Sequence, residues 1–149
     1  MLINITCGDD SSFTEICRQN GWKRTIQRRA VFNCLCGNRS HPSVETVWTI
    51  IRQHIPDVSL DSVYRILDDF SAAGIIRRLD GGKVIRYDSD TGQHGHFTCV
   101  RCAKMYDFDF TEAERAAQKC DGFGSIIAVE MNVRGICKDC QTSEDRREE

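Results

Sequence analysis

The sequence predicts an α+β fold in two parts, a helical N-terminal domain closed by a β-hairpin and a small C-terminal α/β domain. Three observations carry that prediction. Four segments between Ser12 and Ala73 repeat apolar residues at helical spacing behind capping residues. The stretch from Ile75 to Tyr87 then runs as two short apolar-containing strands around Asp80-Gly81-Gly82, a hairpin pattern. Past a polar, turn-rich stretch at 88–92, short strands, one helix and two CxxC pairs, Cys99–Cys102 and Cys137–Cys140, follow one another.

Residues 1–10 show no pattern and read as a loose arm. Ser12-Phe13-Thr14-Glu15 reads as a capping box for a short helix closed by Gly21. Thr25 caps a second helix with Ile26, Ala30, Val31, Cys34 and Leu35 on one side and Gly37 as its stop. His41-Pro42-Ser43 opens a third, whose Val44, Val47, Trp48, Ile51 and Ile55 keep the helical period up to Pro56. Ser59 caps a fourth, from Leu60 to about Ala73. Val63, Leu67 and Phe70 turn inward there, and Asp61, Ser62, Tyr64, Arg65, Asp68 and Asp69 outward. Helices in this order, the last after a short turn and followed by a hairpin, make a winged helix-turn-helix.

The expected boundaries are a winged-helix domain at 1–87, a hinge at 88–92 and a second domain at 93–149. In the second, strands are expected at His94–Cys99 and Lys104–Phe110. A helix opens on Thr111-Glu112-Ala113-Glu114 and runs to about Cys120. Ser125–Arg134 alternates, with Ile127, Val129, Met131 and Val133 on one face, and the charged tail Gln141–Glu149 is expected to fray. So small a domain needs staples or a partner chain.

Net charge is −2, but it is unevenly placed: residues 18–86 hold twelve Lys/Arg against six acids, and residues 87–149 eight against thirteen. A basic N-terminal part suits a nucleic-acid partner. No run of about 18 apolar residues offers a membrane span, and the N-terminus lacks the basic and apolar regions of a signal peptide. Nine cysteines, four of them in CxxC pairs, suit a reducing cytoplasm and a metal better than a disulfide framework.

The two CxxC pairs can present four thiolates to one Zn²⁺, a closed tetrahedral shell with a structural role. Cys7, Cys17, Cys34, Cys36 and Cys120 lack such spacing and read as small hydrophobes. If 94–99 is a strand, His94 and His96 share a face and Cys99 takes the other. Imidazoles with the nearby Asp88, Asp90, Asp107 and Asp109 suit Fe²⁺, Mn²⁺ or Zn²⁺. Periodicity alone does not choose between Asp107 and Asp109, and nothing local assigns His41; His54 reads as exposed.

Several segments in order then resemble the ferric uptake regulator superfamily over roughly residues 20–142. They are Thr25-Ile26-Gln27-Arg28, His41-Pro42, Ser59 to Leu67, Gly74-Ile75-Ile76 and Arg86-Tyr87-Asp88. Most specific is His94-x-His96-x-x-Cys99-x-x-Cys102 with Asp107 and Cys137-x-x-Cys140. The resemblance implies a winged-helix DNA-binding domain, a C-terminal dimerisation domain, a structural zinc and a regulatory metal at the hinge. Carried over by position, the regulatory ligands are His41, Asp88, His94, His96 and Asp107. An aspartate at 107 looks like the peroxide-sensing (PerR-like) branch. Two positions depart from the pattern. Ile126-Ile127 stand where many relatives have histidines, against an accessory metal site. Asp61 stands where relatives usually carry a small residue, and its charge would repel phosphate.

The implied function is a homodimeric repressor on a palindromic double-stranded DNA operator. Ser62, Tyr64 and Arg65 would meet the major groove, and Arg24, Arg28 and Lys83 the phosphates. Fe²⁺ or Mn²⁺ would clamp the domains; in the peroxide-sensing version, oxidation of histidine ligands at the ferrous site releases the metal and lifts repression. An iron- or manganese-responsive regulator is the alternative within the family. From other classes come a thiol-redox enzyme using one CxxC and a metal-dependent hydrolase using the histidines. Neither is favoured: thiolates sharing zinc are unreactive, and no further general base stands beside an open coordination position.

Overall fold

The structure, a computed structural model, describes residues 10–80, 84–112 and 117–145. The chain divides into two compact units, Met1–Thr91 and Gly92–Glu149. The expected arm at 1–10 lies outside the described residues except for Asp10.

The first unit holds α1 (Asp10–Gln19), α2 (Ile26–Leu35), α3 (Val44–Ile51), α4 (Leu60–Ala72) and the hairpin β1 (Arg77–Leu79) with β2 (Arg86–Asp88). Three of the four starts are capped as read: the hydroxyls of Thr25, Ser43 and Ser59 accept from the amides of Arg28, Thr46 and Ser62. The first is not. Helix α1 already runs at Asp10, so Ser12 lies inside it, and Glu15 instead holds Arg18 and Gln19. Gly37 and Gly74 take left-handed backbone after α2 and α4.

One core unites the helices: Phe13 and Ile16, Val31, Phe32 and Leu35, Val47 and Ile51, and Val63, Ile66, Leu67 and Phe70, closed by Ile75, Ile76 and Tyr87. Two expectations fail here. Ile26 is 75% exposed because the first turn of α2 overhangs the core, and Phe32 fills the inward position instead. Helix α3 stops at Ile51, a turn before Ile55, which packs on the core from the connection. The indole of Trp48 fixes that connection by donating to the Val58 carbonyl at 2.9 Å.

The wing pairs antiparallel, Arg77 with Asp88, Arg78 with Tyr87 and Leu79 with Arg86. Asp88 is therefore a strand residue rather than part of the linker. The turn residues 81–83 lie outside the described residues.

The second unit is built on β3 (Gly95–Cys99), flanked by β4 (Met105–Phe108) and β5 (Met131–Gly135). β3 runs antiparallel to β4 and parallel to β5, with Cys99 beside Gly135. The parallel pairing brings both CxxC pairs to one end of the sheet. The predicted strands shorten at their ends, and 125–130 belongs to no helix or strand. Of the helix predicted from Thr111 to about Cys120, residues 113–116 lie outside the described residues; 117 and 118 are helical, and 111–112 and 119–120 are turn. A 3₁₀ turn covers Asp121–Phe123. The tail is the clearer correction: α5 (Lys138–Asp145) is helical through Gln141, because it continues directly from the second CxxC turn.

Among the described residues, the hydrophobic positions fully buried in this unit are Cys99 and Cys137. Tyr106, Ile126, Ile127, Met131 and Val133 stay exposed, Ile127 at 99%. A core this thin depends on what its cysteines hold.

Candidate metal centres and nucleic-acid interface

The Sγ atoms of Cys99, Cys102, Cys137 and Cys140 all lie within 4.8 Å of one another. Zn–S bonds of about 2.3 Å in a tetrahedron place sulfurs about 3.8 Å apart, and Cys102 and Cys137 stand at 3.7 Å. That is too far for a disulfide and right for a shared ion, so the four residues fit zinc. The backbone is arranged for thiolates. The amide of Cys137 donates to Cys99 Sγ at 3.3 Å, and amide donors from Cys102 and Cys137 lower the Cys99 thiol to about 6. The Cys140 amide likewise lowers Cys137. Cys140, hydrogen-bonded to Cys137 and Cys102, is pushed up to about 12. Lys104 pairs with Asp139 at 3.3 Å and ties the two knuckles from outside. Cys17 is buried and Cys34, Cys36 and Cys120 half-buried, as hydrophobes; Cys7 lies outside the described residues.

On the opposite face of β3, His94 and His96 are buried. The strand register sets His96 directly across from Asp107. Asp107 Oδ1 lies 3.8 Å from His94 Nε2 and 3.7 Å from His96 Nε2, and the two Nε2 atoms are 3.0 Å apart. His94 Nδ1 faces the Gly92 carbonyl at 2.9 Å. A carbonyl only accepts, so Nδ1 carries the hydrogen and Nε2 presents its lone pair. Two imidazole nitrogens and a carboxylate oxygen thus converge, a set that fits Fe²⁺, Mn²⁺ or Zn²⁺. Register supplies the choice of Asp107 over Asp109 that periodicity lacked. Gly95 lies between the histidines because Phe108 covers it: an added Cβ would stand 2.4 Å from the ring.

In the first unit, His41 and Asp88 are both buried, with Nε2 and Oδ1 3.9 Å apart. His41 has φ of 50°, a left-handed conformation that costs a non-glycine residue about 1–3 kcal/mol. The wing holds it there: Arg86 Nη1 donates to the His41 carbonyl at 3.0 Å and the Tyr87 amide to the Pro42 carbonyl at 3.0 Å. Strain maintained by two neighbouring bonds marks a positioned side chain.

Helix α4 exposes Asp61 and Arg65, with Ser62 and Tyr64 half-buried beside them. Arg78 of the wing reaches Asp80 at 3.0 Å and both Tyr64 and Asp68 at 3.4 Å. Arg24 is exposed, Lys83 lies outside the described residues, and Arg28 is turned inward. Its guanidinium donates to Asp69 at 2.5 Å and to the Lys23 carbonyl, stands over Trp22, and is 14% exposed. It joins α2 to α4 and does not face outward. His54 is exposed, as expected.

Residues 19–133 match the ferric uptake regulator family. The chain belongs to the ferric uptake regulator family. It is 32% identical over 136 residues to the peroxide-responsive repressor PerR of Staphylococcus saprophyticus, covering 89% of this chain and 90% of that one. The ferric uptake regulator of Helicobacter pylori, described with three functional metal-binding sites, superposes with a TM-score of 0.76 at 29% identity, covering 90% of this chain and 95% of the other. The Francisella tularensis regulator, solved with iron, gives 0.70 at 27%, covering 81% and 96%. This family member adds supports that its sequence did not disclose. Arg86 holds His41, Arg78 joins wing to α4, and Lys104 meets Asp139; a lone basic residue carries no signal for its partner.

Proposed function

We propose that this protein is a cytoplasmic, homodimeric, metal-dependent transcriptional repressor that senses peroxide through a ferrous site. The observation that carries the reading is the convergence of His94, His96 and Asp107 on one buried face. Three donors do not complete a shell for iron or manganese. His41 and Asp88 supply the remaining chemistry, and the winged-helix unit holds both rigidly. Sharing one ion among all five fixes the two units in the DNA-competent arrangement. Differential metal binding of about 1–3 kcal/mol per site suffices for such coupling. The winged helix then presents Ser62, Tyr64 and Arg65 to a half-site, with Arg24 and Lys83 on phosphates. A dimer reads two half-sites of a palindrome. The zinc staples the second unit, whose exposed Tyr106, Met131 and Val133 suit burial against a second copy.

Bound Fe²⁺ supplies the electron chemistry with peroxide. The chain's part would be to hold imidazoles against that centre: the peroxide O–O bond would break, one oxygen would replace hydrogen on a ring carbon of His41 or His94 while the other leaves as water, and the oxidised ring would cease to donate to the metal. The 32% identity to a peroxide-responsive repressor supports this version. Mass spectrometry after peroxide treatment tests it. A one-oxygen gain on the His41 or His94 peptide is expected with Fe²⁺ and not with Mn²⁺; unmodified peptides in both forms overturn peroxide sensing. The second reading, an iron- or manganese-responsive regulator, draws support from the iron-bound relative, and unmodified peptides with iron-dependent DNA binding select it. A band shift on palindromic promoter DNA with and without Mn²⁺ tests the regulator itself, and metal-independent binding counts against it. One tightly held zinc per chain and no redox activity are expected, which separates the protein from a thiol-redox enzyme.

A further inference from the structure

We propose that Asp61 is a specificity-determining residue that takes the exocyclic amine of a cytosine while Arg65 takes a guanine beside it, which deepens the DNA-binding reading above and rests on it. Helix α4 carries three acids on its outward side, and the structure treats them differently. Asp68 and Asp69 are held by arginines from other elements, Arg78 at 3.4 Å and Arg28 at 2.5 Å. They belong to the internal bracing of the unit. Asp61 pairs with Arg65 of its own helix at 3.1 Å, and the two side chains are 71% and 78% exposed. Among the described residues, neither side chain makes a bond to another element. The pair lies in the first two turns of the second helix of a helix-turn-helix, the part that enters the major groove.

An acid in that position weakens binding to every sequence through the phosphates unless a base edge offers it a donor. Major-groove donors are the amines of cytosine and adenine. Adenine sets the N7 acceptor beside its amine, which repels a carboxylate, so cytosine is the better partner. Arg65, one turn on, finds its match in the O6 and N7 acceptors of guanine. A separation of four residues spans about 6 Å along the helix, and base pairs rise about 3.4 Å. The two contacts therefore fall on base pairs at most about two steps apart. The ion pair seen without DNA keeps both side chains extended on one side of the helix, and DNA exchanges one bond for two. Charge on this helix then buys selectivity in place of affinity. The blander role, an acid favouring the helix N-terminus, predicts a small stability change and no base preference.

The test is selection from a random double-stranded DNA pool by the full-length, zinc-loaded chain with Mn²⁺, comparing wild type, Asp61→Ala and Asp61→Asn. Thermal melting of each variant runs alongside. Wild type is expected to enrich a cytosine at one half-site position with a guanine within two base pairs of it. Asp61→Ala should lose that cytosine preference, roughly ten-fold in relative affinity, while preferences elsewhere persist and overall binding tightens. Asp61→Asn should move the preference toward adenine, which an amide reads bidentately. Unchanged base preferences in Asp61→Ala, with tighter binding to all sequences, overturn the proposal and leave Asp61 as a repulsive charge. No enrichment by wild type or either variant refutes the DNA-binding reading as well. A melting shift without a preference shift assigns Asp61 to helix stability and also overturns the proposal.

Discussion

At the scale of single residues, the zinc thiols are tuned by backbone before any ion is present. Cys99 is lowered to about 6 by amide donors, Cys137 is lowered too, and Cys140 is raised to about 12. The sign follows directly. A depressed thiol keeps its metal-binding form above its own value and loses it as pH falls through that value. Bound zinc competes with protons for these thiolates, so zinc content, followed by a chromophoric chelator from pH 8 downward, is expected to hold across the neutral range and to fall only below the zinc-free Cys99 value of about 6. Loss beginning near pH 7 would contradict the amide-donor account. Arg24 and Arg28 offer a second contrast, since the sequence offers both as phosphate contacts and the structure holds them differently. Arg24→Ala is expected to reduce the salt slope of DNA binding by about one ion. Arg28→Ala should leave that slope alone and instead destabilise the first unit by about 1–3 kcal/mol in urea, because Asp69 loses its partner. A slope change for Arg28→Ala would restore it to the interface.

Elements were legible to the degree that their signals are local. Thr25, Ser43 and Ser59 announce helix starts because a cap is a contact over three residues. Ser12 misled because nothing in Ser-Phe-Thr-Glu tells a cap from an interior turn that has already begun at Asp10. Ile55 kept the helical period past the end of α3, since burial, not helix, was what its spacing reported. For the sites, alternation along β3 put His94 and His96 on one face; Asp107 came only with the family resemblance, and strand register is the physical reason it stands beside them. Register is long-range, and so are the bonds that hold His41. Gly95 shows how tightly β3 and β4 are matched. Gly95→Ala drives a Cβ into the Phe108 ring at 2.4 Å, and overpacking of this kind costs about 1–3 kcal/mol. Faster zinc loss to a chelator and a lower urea midpoint are expected, with recovery in Gly95→Ala/Phe108→Leu. If the double variant is no better than the single one, the ring is not the obstacle.

Over the whole molecule, the two units differ in what stabilises them. The first has a continuous core from α1 through the wing. The second has cysteines where a core would be, so removing zinc should unfold it while the first unit's helices survive. No helix among the described residues is long and apolar enough to cross a membrane. The proposed coupling assigns each unit its own ligands: the first contributes His41 and Asp88, the second His94, His96 and Asp107. An ion held by His94, His96 and Asp107 alone would bind without linking anything. Binding and linking are therefore separable by mutation. His96→Ala should weaken Mn²⁺ binding at least as much as the roughly 10–100-fold that losing a mere outer partner of a ligand causes. His41→Ala/Asp88→Ala, which removes both of the first unit's ligands, should retain weak Mn²⁺ binding yet lose its consequence. With a broad-specificity protease, Mn²⁺ is expected to slow cleavage between residues 89 and 93 in the wild type, and to leave it unchanged in His41→Ala/Asp88→Ala even at saturating metal. Calorimetry on the same samples confirms occupancy. Protection that persists in the double variant would mean that the second unit's ligands order the linker by themselves, and the two-unit clamp would have to be abandoned.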